Sequence, residues 1–131
     1  MNTQPLLNPY YSSGALSVIP PQSILIPSGS RYIAIPTDHL MCMEASGNYT
    51  FIYTIDGRKY LVSKTLKSYV ALLEGLSFVR VHKSWLINPK YLQGFCEYER
   101  SLQMKGGKEI AISRRRVREV TELLAPLVKK G

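Results

Sequence analysis

Acidic side chains are scarce in this sequence. Its 131 residues hold 9 aspartates and glutamates against 17 lysines and arginines, so the formal net charge is +8 at pH 7. A basic excess of this size indicates an anionic partner, such as nucleic acid, an acidic protein or an anionic membrane surface. No apolar run approaches the roughly 20 residues that span a bilayer, and we therefore expect no membrane partner.

Cysteine and histidine are also rare. Cys42 and Cys96 lie far apart without metal-ligand spacing, and His39 and His82 are the only histidines. This pattern predicts two reduced, buried thiols. No activated nucleophile, paired carboxylates or glycine-rich phosphate loop stands out. We therefore predict that the protein is not an enzyme and has no catalytic residue, metal or cofactor.

Charge is absent altogether from residues 1–30, which are rich in proline and serine. A signal peptide needs a basic start and an unbroken apolar stretch, and this segment has neither. We predict a flexible lead-in over residues 1–23 and one domain over residues 24–131, because a chain of this length supports a single core.

From residue 31 the pattern is rich in strand signals. Asp56-Gly57 and Gly106-Gly107 each separate two strand-forming runs, which predicts two hairpins. Apolar residues at helical spacing follow Thr65 and Ser113, both of which suit the N-cap position of a helix. The sequence therefore predicts a mainly β domain with a few short helices.

One strand-like segment, Phe78–Asn88, alternates apolar residues with cations and hydrogen-bonding side chains. Such side chains suit contacts to phosphates and base edges. They also suit a strand whose polar residues are solvated or hydrogen-bonded within the fold, and the segment alone slightly favours this second interpretation. Its polar residues are Arg80, His82, Lys83, Ser84 and Asn88.

A second basic cluster, Arg114–Arg116, opens the last predicted helix. Cations at a helix N-terminus oppose the macrodipole at about 0.3–1 kcal/mol each, and a bound anion would remove that conflict. The alternative is local ion pairing of Arg115 with Glu119 and Arg118 with Glu122, worth about 0.2–0.5 kcal/mol per pair. The net charge favours the anion.

The chain contains, in this order, Met43–Thr50, Asp56-Gly57, the helix predicted after Thr65, Phe78–Ser84, Ile87-Asn88 and Ile112–Arg114. In this order and spacing these segments resemble the LytTR DNA-binding domain of LytR/AlgR-type bacterial transcription regulators. The resemblance covers residues 24–128, and it implies an elongated all-β fold of short sheets with small helices. It also implies sequence-specific binding of double-stranded DNA at repeated sites.

The resemblance also implies roles for individual residues. By position, the loop residues Asn48 and Tyr49 enter one major groove and Arg115 reads the next. Lys83 then contacts DNA between them, at a position where the family usually has arginine or a polar amide. The further DNA-binding candidates are Arg114 and Arg116, and those for phosphate contact or support are Arg80, His82 and Ser84.

Family members often carry a receiver domain, and the lead-in is too short for one. We therefore expect a stand-alone response-regulator relative in the bacterial cytoplasm, associated with the nucleoid. Its expected partners are double-stranded DNA, a second copy of itself on a repeated site, and a regulatory protein in trans. The alternative is a protein-interaction module that uses the same basic face for an acidic partner or sensor.

Overall fold

The structure, a computed structural model, describes residues 22–127. The predicted lead-in over residues 1–23 therefore lies, except for its last two residues, outside the described range, and the boundary at residue 24 stays a prediction. The chain divides into two compact units, one ending at Asp38 and the other beginning at His39. Each unit is described by itself.

The first unit is an antiparallel β-hairpin of strands β1 (Ser23–Ser28) and β2 (Arg31–Pro36). Its turn contains Gly29 at a φ of +63°, a conformation that favours glycine. Ile24 lies opposite Ile35 in the register, and both side chains are buried.

The second unit contains an antiparallel sheet of five strands. These are β3 (Leu40–Ser46), β4 (Tyr49–Thr54), β5 (Lys59–Val62), β6 (Val79–His82) and β7 (Trp85–Ile87). Their spatial order is β5-β4-β3-β7-β6, so that β3 is central and pairs with both β4 and β7. A smaller antiparallel sheet has the order β10-β9-β8 and is formed by β8 (Leu92–Cys96), β9 (Ser101–Met104) and β10 (Glu109–Ala111).

Within residues 22–127, two α-helices, α1 (Leu66–Leu72) and α2 (Val117–Leu124), complete the regular structure with four short 3-10 turns. No helix among residues 22–127 is both long and apolar enough to cross a membrane. The 3-10 turns are Thr37–His39, Pro89–Tyr91, Lys105–Gly107 and Ala125–Leu127.

The main core of the second unit joins the two sheets and α2. Helix α2 packs against β6, while α1 packs against β3 and β7 through its own buried residues. Full burial of one aliphatic side chain contributes about 1.5–3 kcal/mol, so this core is the main source of stability. Its buried members are Met41, Cys42, Val81, Ile87, Leu102, Met104, Ile110, Ile112, Val120 and Leu124.

The predicted elements are confirmed, except for one helix start. Both hairpins form at Asp56-Gly57 and Gly106-Gly107, and the Thr65 hydroxyl caps α1 by accepting from the Ser68 N–H at 3.2 Å. The prediction that Ser113 caps the last helix is wrong, because α2 begins at Val117. The Ser113 hydroxyl oxygen is buried and makes no hydrogen bond within residues 22–127.

Both cysteines are free thiols, as predicted. Cys42 belongs to the main core and is buried, whereas Cys96 is only partly buried, so the expectation of two buried thiols holds for one of them.

Candidate nucleic-acid interface

Two tight turns lie at the same end of the five-stranded sheet. Gly47-Asn48 connects β3 to β4, and Lys83-Ser84 connects β6 to β7. Strand β3 runs antiparallel to β7, and the Ala45 N–H donates to the Ser84 carbonyl at 2.8 Å, which holds the two turns side by side. We call this end the turn edge, and it comprises Gly47-Asn48, Lys83-Ser84 and the segment Ser113–Arg116 described below.

The turn between β3 and β4 presents the first pair of predicted site residues. Gly47 has a φ of +61°, and Ser46 pairs with Tyr49 across the turn. A two-residue hairpin turn with a positive φ at its first central residue favours glycine at that position. Asn48 is exposed at the tip, and Tyr49 keeps 49% of its surface exposed at the start of β4.

The turn between β6 and β7 is held from inside by Arg80. Its Nε donates to the His82 carbonyl at 2.9 Å, and its terminal nitrogen donates to the Lys83 carbonyl. The Ser84 N–H donates to His82 Nδ1 at 3.1 Å. Burial, together with repulsion from Arg116, lowers the pKa of Arg80. The side chains of Arg80 and His82 thus form hydrogen bonds within the turn. The Lys83 side chain is exposed.

The arginine segment is brought to the same edge by its backbone. The Ser113 N–H donates to the Val81 carbonyl at 2.8 Å, and the Arg116 N–H donates to the Ser113 carbonyl at 3.0 Å. Arg114–Arg116 therefore form a turn before α2. The result is a groove of about 390 Å³ lined by His82, Lys83, Ser113, Arg114, Arg115 and Arg116.

The cations of this groove are not neutralised by neighbouring acids. Neither Arg115–Glu119 nor Arg118–Glu122 forms an ion pair, so the alternative of local pairing is wrong. An ion pair of the described residues instead joins Arg58 to Asp56 at 3.4 Å, at the turn between β4 and β5. Four positive side chains, Lys83 and Arg114–Arg116, thus surround one open groove, which favours a polyanion.

The chain matches one protein family over most of its length. Residues 30–125 match the LytTr DNA-binding domain family. The chain belongs to this family. The match confirms the resemblance and identifies a family of DNA-binding transcription regulators with bacterial relatives.

Two relatives of this LytTr domain show how far the similarity extends. Sensory transduction protein LytT of Bacillus subtilis (strain 168) is 28% identical over 99 residues, which is 73% of this chain and 41% of LytT. The chain thus spans about two fifths of that relative's length. A solved LytTr DNA-binding domain from Bacillus cereus superposes with a TM-score of 0.67 at 20% identity, covering 78% of this chain and 95% of that one. This similarity confirms the fold of short sheets with small helices.

The structure separates two groups of polar residues in Phe78–Asn88. His82 and Lys83 line the groove, and Ser84 adjoins it through backbone contacts. Asn88 is buried at the other end of β7, where Nδ2 donates to the Leu40 carbonyl at 2.9 Å. Its Oδ1 also accepts from the Lys90 N–H at 3.1 Å, so Asn88 has a structural role.

One cation near the turn edge was missed by sequence reasoning. The Thr50 hydroxyl donates to the Lys64 carbonyl at 2.7 Å, which holds Lys64 beside the start of β4. The sequence signal was weak, because a lysine next to a helix cap is ordinary on a solvated surface.

Proposed function

We propose that this LytTr domain binds double-stranded DNA sequence-specifically through its turn edge and acts in bacterial transcription regulation. The observation that carries the proposal is the groove in which Lys83 and Arg114–Arg116 converge without acidic partners. Phosphates supply the missing negative charge, and guanidinium groups suit both phosphates and guanine edges.

The length of the turn edge fits a duplex that is read in two successive major grooves. Asn48 and the arginine segment lie at its two sides, with β3, β7 and β6 between them. At about 4.8 Å per strand, this separation is roughly 15–20 Å. Major grooves about 12 Å wide that repeat every ~34 Å leave roughly 22 Å between their near walls. Extended side chains close the remaining few ångströms.

The chemistry of each side chain suggests its role in this arrangement. Arg115 suits bidentate contact with guanine, and Asn48, with Tyr49 beside it, suits contact with adenine in the other groove. Lys83 lies between them and suits a phosphate as a point charge. Arg114 and Arg116 add phosphate contacts, while Arg80 and His82 act as positioning residues for the turn that carries Lys83.

We also propose that two copies act on a repeated site. A few base contacts from one domain give limited discrimination, whereas a bacterial genome offers on the order of 10⁶ or more competing sites. A second copy doubles the sequence that is read. The proposed setting is the nucleoid in the bacterial cytoplasm, with control by a regulatory protein in trans.

Selection of bound fragments from random duplex DNA tests this function, followed by titration of the enriched duplex at several salt concentrations. We expect a repeated motif that binds well above random duplex at physiological salt. Binding without enrichment of any sequence, and with a steep salt dependence, would mean that the basic groove binds only the phosphate backbone and is not sequence-specific. Capture of an acidic protein from nuclease-treated extract, with no DNA affinity, would favour the interaction module instead.

A further inference from the structure

The seven lysines within residues 22–127 fall into two groups, and the first group lies over aromatic rings. Such contacts hold an ammonium group against the protein surface. Lys59 lies 4.3 Å from the centroid of Phe51, Lys108 lies 4.0 Å from that of Tyr53, and Lys90 and Lys105 lie 5.6 and 6.0 Å from that of Tyr91.

The second group consists of Lys64, Lys67 and Lys83. All three are exposed, and within the described part of the chain their ammonium groups have no ion pair, ring contact or hydrogen bond. Lys83 already belongs to the turn edge. Lys64 and Lys67 share this lack of internal partners, but they lie outside the turn edge as defined above.

The strand register places Lys64 beside the turn edge, and Lys67 follows it by three residues, in α1. Val62, the last residue of β5, pairs with Thr50 near the start of β4, and Lys64 follows two residues later. The hydrogen bond from the Thr50 hydroxyl to the Lys64 carbonyl fixes that position. The arginine segment lies beside β6, one outer strand of the sheet, and Lys64 follows β5, the other outer strand. Asn48, between β3 and β4, therefore lies between Lys64 and the arginine segment.

Local stability does not explain why a lysine occupies position 67. Lys67 lies in the first turn of α1, which contains no acidic residue. The first acidic residue after Lys67 in the sequence, Glu74, lies beyond the last turn of the helix. An exposed cation without an internal partner suits an external anion.

We propose that Lys64 and Lys67 contact backbone phosphates of the DNA that flanks the groove entered by Asn48. The inference rests on the proposed function and deepens it, because it extends the DNA footprint to the β5 side of the turn edge. An ammonium group binds phosphate as a point charge and carries no base information, so these lysines add affinity and register without sequence preference.

The test compares Lys64→Gln and Lys67→Gln with the matched control Lys59→Gln, which removes a lysine at the other end of β5. Binding to the selected duplex is titrated against salt concentration for each variant. We expect each test variant to lower the slope of log K against log salt by about one unit, and the double variant by about two. Base preference stays that of the parent, and Lys59→Gln keeps the parental slope.

A second measurement locates the contacts on the DNA. Shortening the duplex on the Asn48 side should lower the parental slope by about as much as the double variant does, and should abolish the difference between the two proteins. Lys64→Arg keeps the charge and should retain the parental slope.

The outcomes separate the two proposals. If the parent binds its site specifically while Lys64→Gln and Lys67→Gln keep its slope, the flanking contacts are wrong and the proposed function stands. An equal loss in Lys59→Gln also overturns the inference, since net charge alone would then set the slope. If the parent shows no specific site, both proposals fail.

Discussion

The backbone N–H of Ser113 donates to the carbonyl of Val81 at 2.8 Å, and this bond ties the segment before α2 to the end of β6. The two residues are distant in sequence, yet the bond places Arg114–Arg116 next to Lys83. The cations of the groove are therefore positioned by backbone geometry, and changes to their side chains should leave the fold intact.

Arg115→Ala should weaken binding to the selected site by about 1–3 kcal/mol and relax specificity at one base position. The reason is loss of a bidentate contact to guanine. Arg118→Ala is the matched control, because Arg118 is an exposed arginine on α2 outside the groove. Affinities for a panel of single-base variants of the site provide the measurement. Equal losses in the two variants, with unchanged base preference, would contradict the assigned role.

Arg80→Gln should weaken DNA binding, because it removes hydrogen bonds that hold the turn carrying Lys83. Arg80 donates to the carbonyls of His82 and Lys83, and such bonds are worth about 1 kcal/mol or more when the donor is charged. Because Arg80 acts through Lys83, the combined loss in Arg80→Gln with Lys83→Ala should be smaller than the sum of the two single losses. Affinities of the four proteins for one duplex give this coupling. Strict additivity would mean that Arg80 contacts DNA independently.

Local chemistry accounts for the elements that the sequence predicted well. Asp56-Gly57 forms its hairpin with Gly57 at a φ of +88°, and Thr65 caps α1 through its own hydroxyl. Both features depend on residues within one turn of each other. The family and its fold were indicated by the resemblance of specific motif segments, and the family match and the solved LytTr domain confirm both.

Non-local hydrogen bonds account for the errors. Ser113 has the side chain of a good N-cap, but its backbone joins β6 and the helix starts later. In the sequence Asn88 belongs to the polar residues of the basic segment, but in the structure its side-chain amide donates to the Leu40 carbonyl on another strand. Lys64 lies beside the start of β4 because β5 pairs with β4 and the Thr50 hydroxyl donates to the Lys64 carbonyl. No pattern within a single segment contains this information.

Asn88 and Asn48 should respond to truncation in opposite ways. Asn88→Ala removes a buried donor and a buried acceptor, which should lower the free energy of unfolding by about 1–3 kcal/mol. Asn48→Ala, at an exposed turn position, should weaken DNA binding and leave the stability within about 0.5 kcal/mol of the parent. Urea unfolding and DNA titration of both variants provide the measurement. The structural role assigned to Asn88 is wrong if Asn88→Ala leaves the free energy of unfolding unchanged.

The Cys42 thiol should be protected in the folded protein and titrate only on unfolding. Burial raises the pKa of Cys42 from 9.0 to about 12, and the thiolate is the reactive form. A disulfide reagent at pH 8 should therefore label Cys96 in the native protein, and Cys42 only in denaturant. Mass spectrometry of the labelled peptides distinguishes the two sites.

The raised pKa of Cys42 also has a consequence for stability. Above pH 9 the unfolded state releases the Cys42 proton while the folded state keeps it, so the free energy of unfolding falls as pH rises toward 12. The loss that Cys42 contributes between pH 8 and pH 10 should be about 1.4 kcal/mol, and it should be absent from Cys42→Ala. Urea unfolding of both proteins at the two pH values measures it. Equal pH dependence in the two proteins, or rapid native labelling of Cys42, would show that this thiol is accessible to solvent.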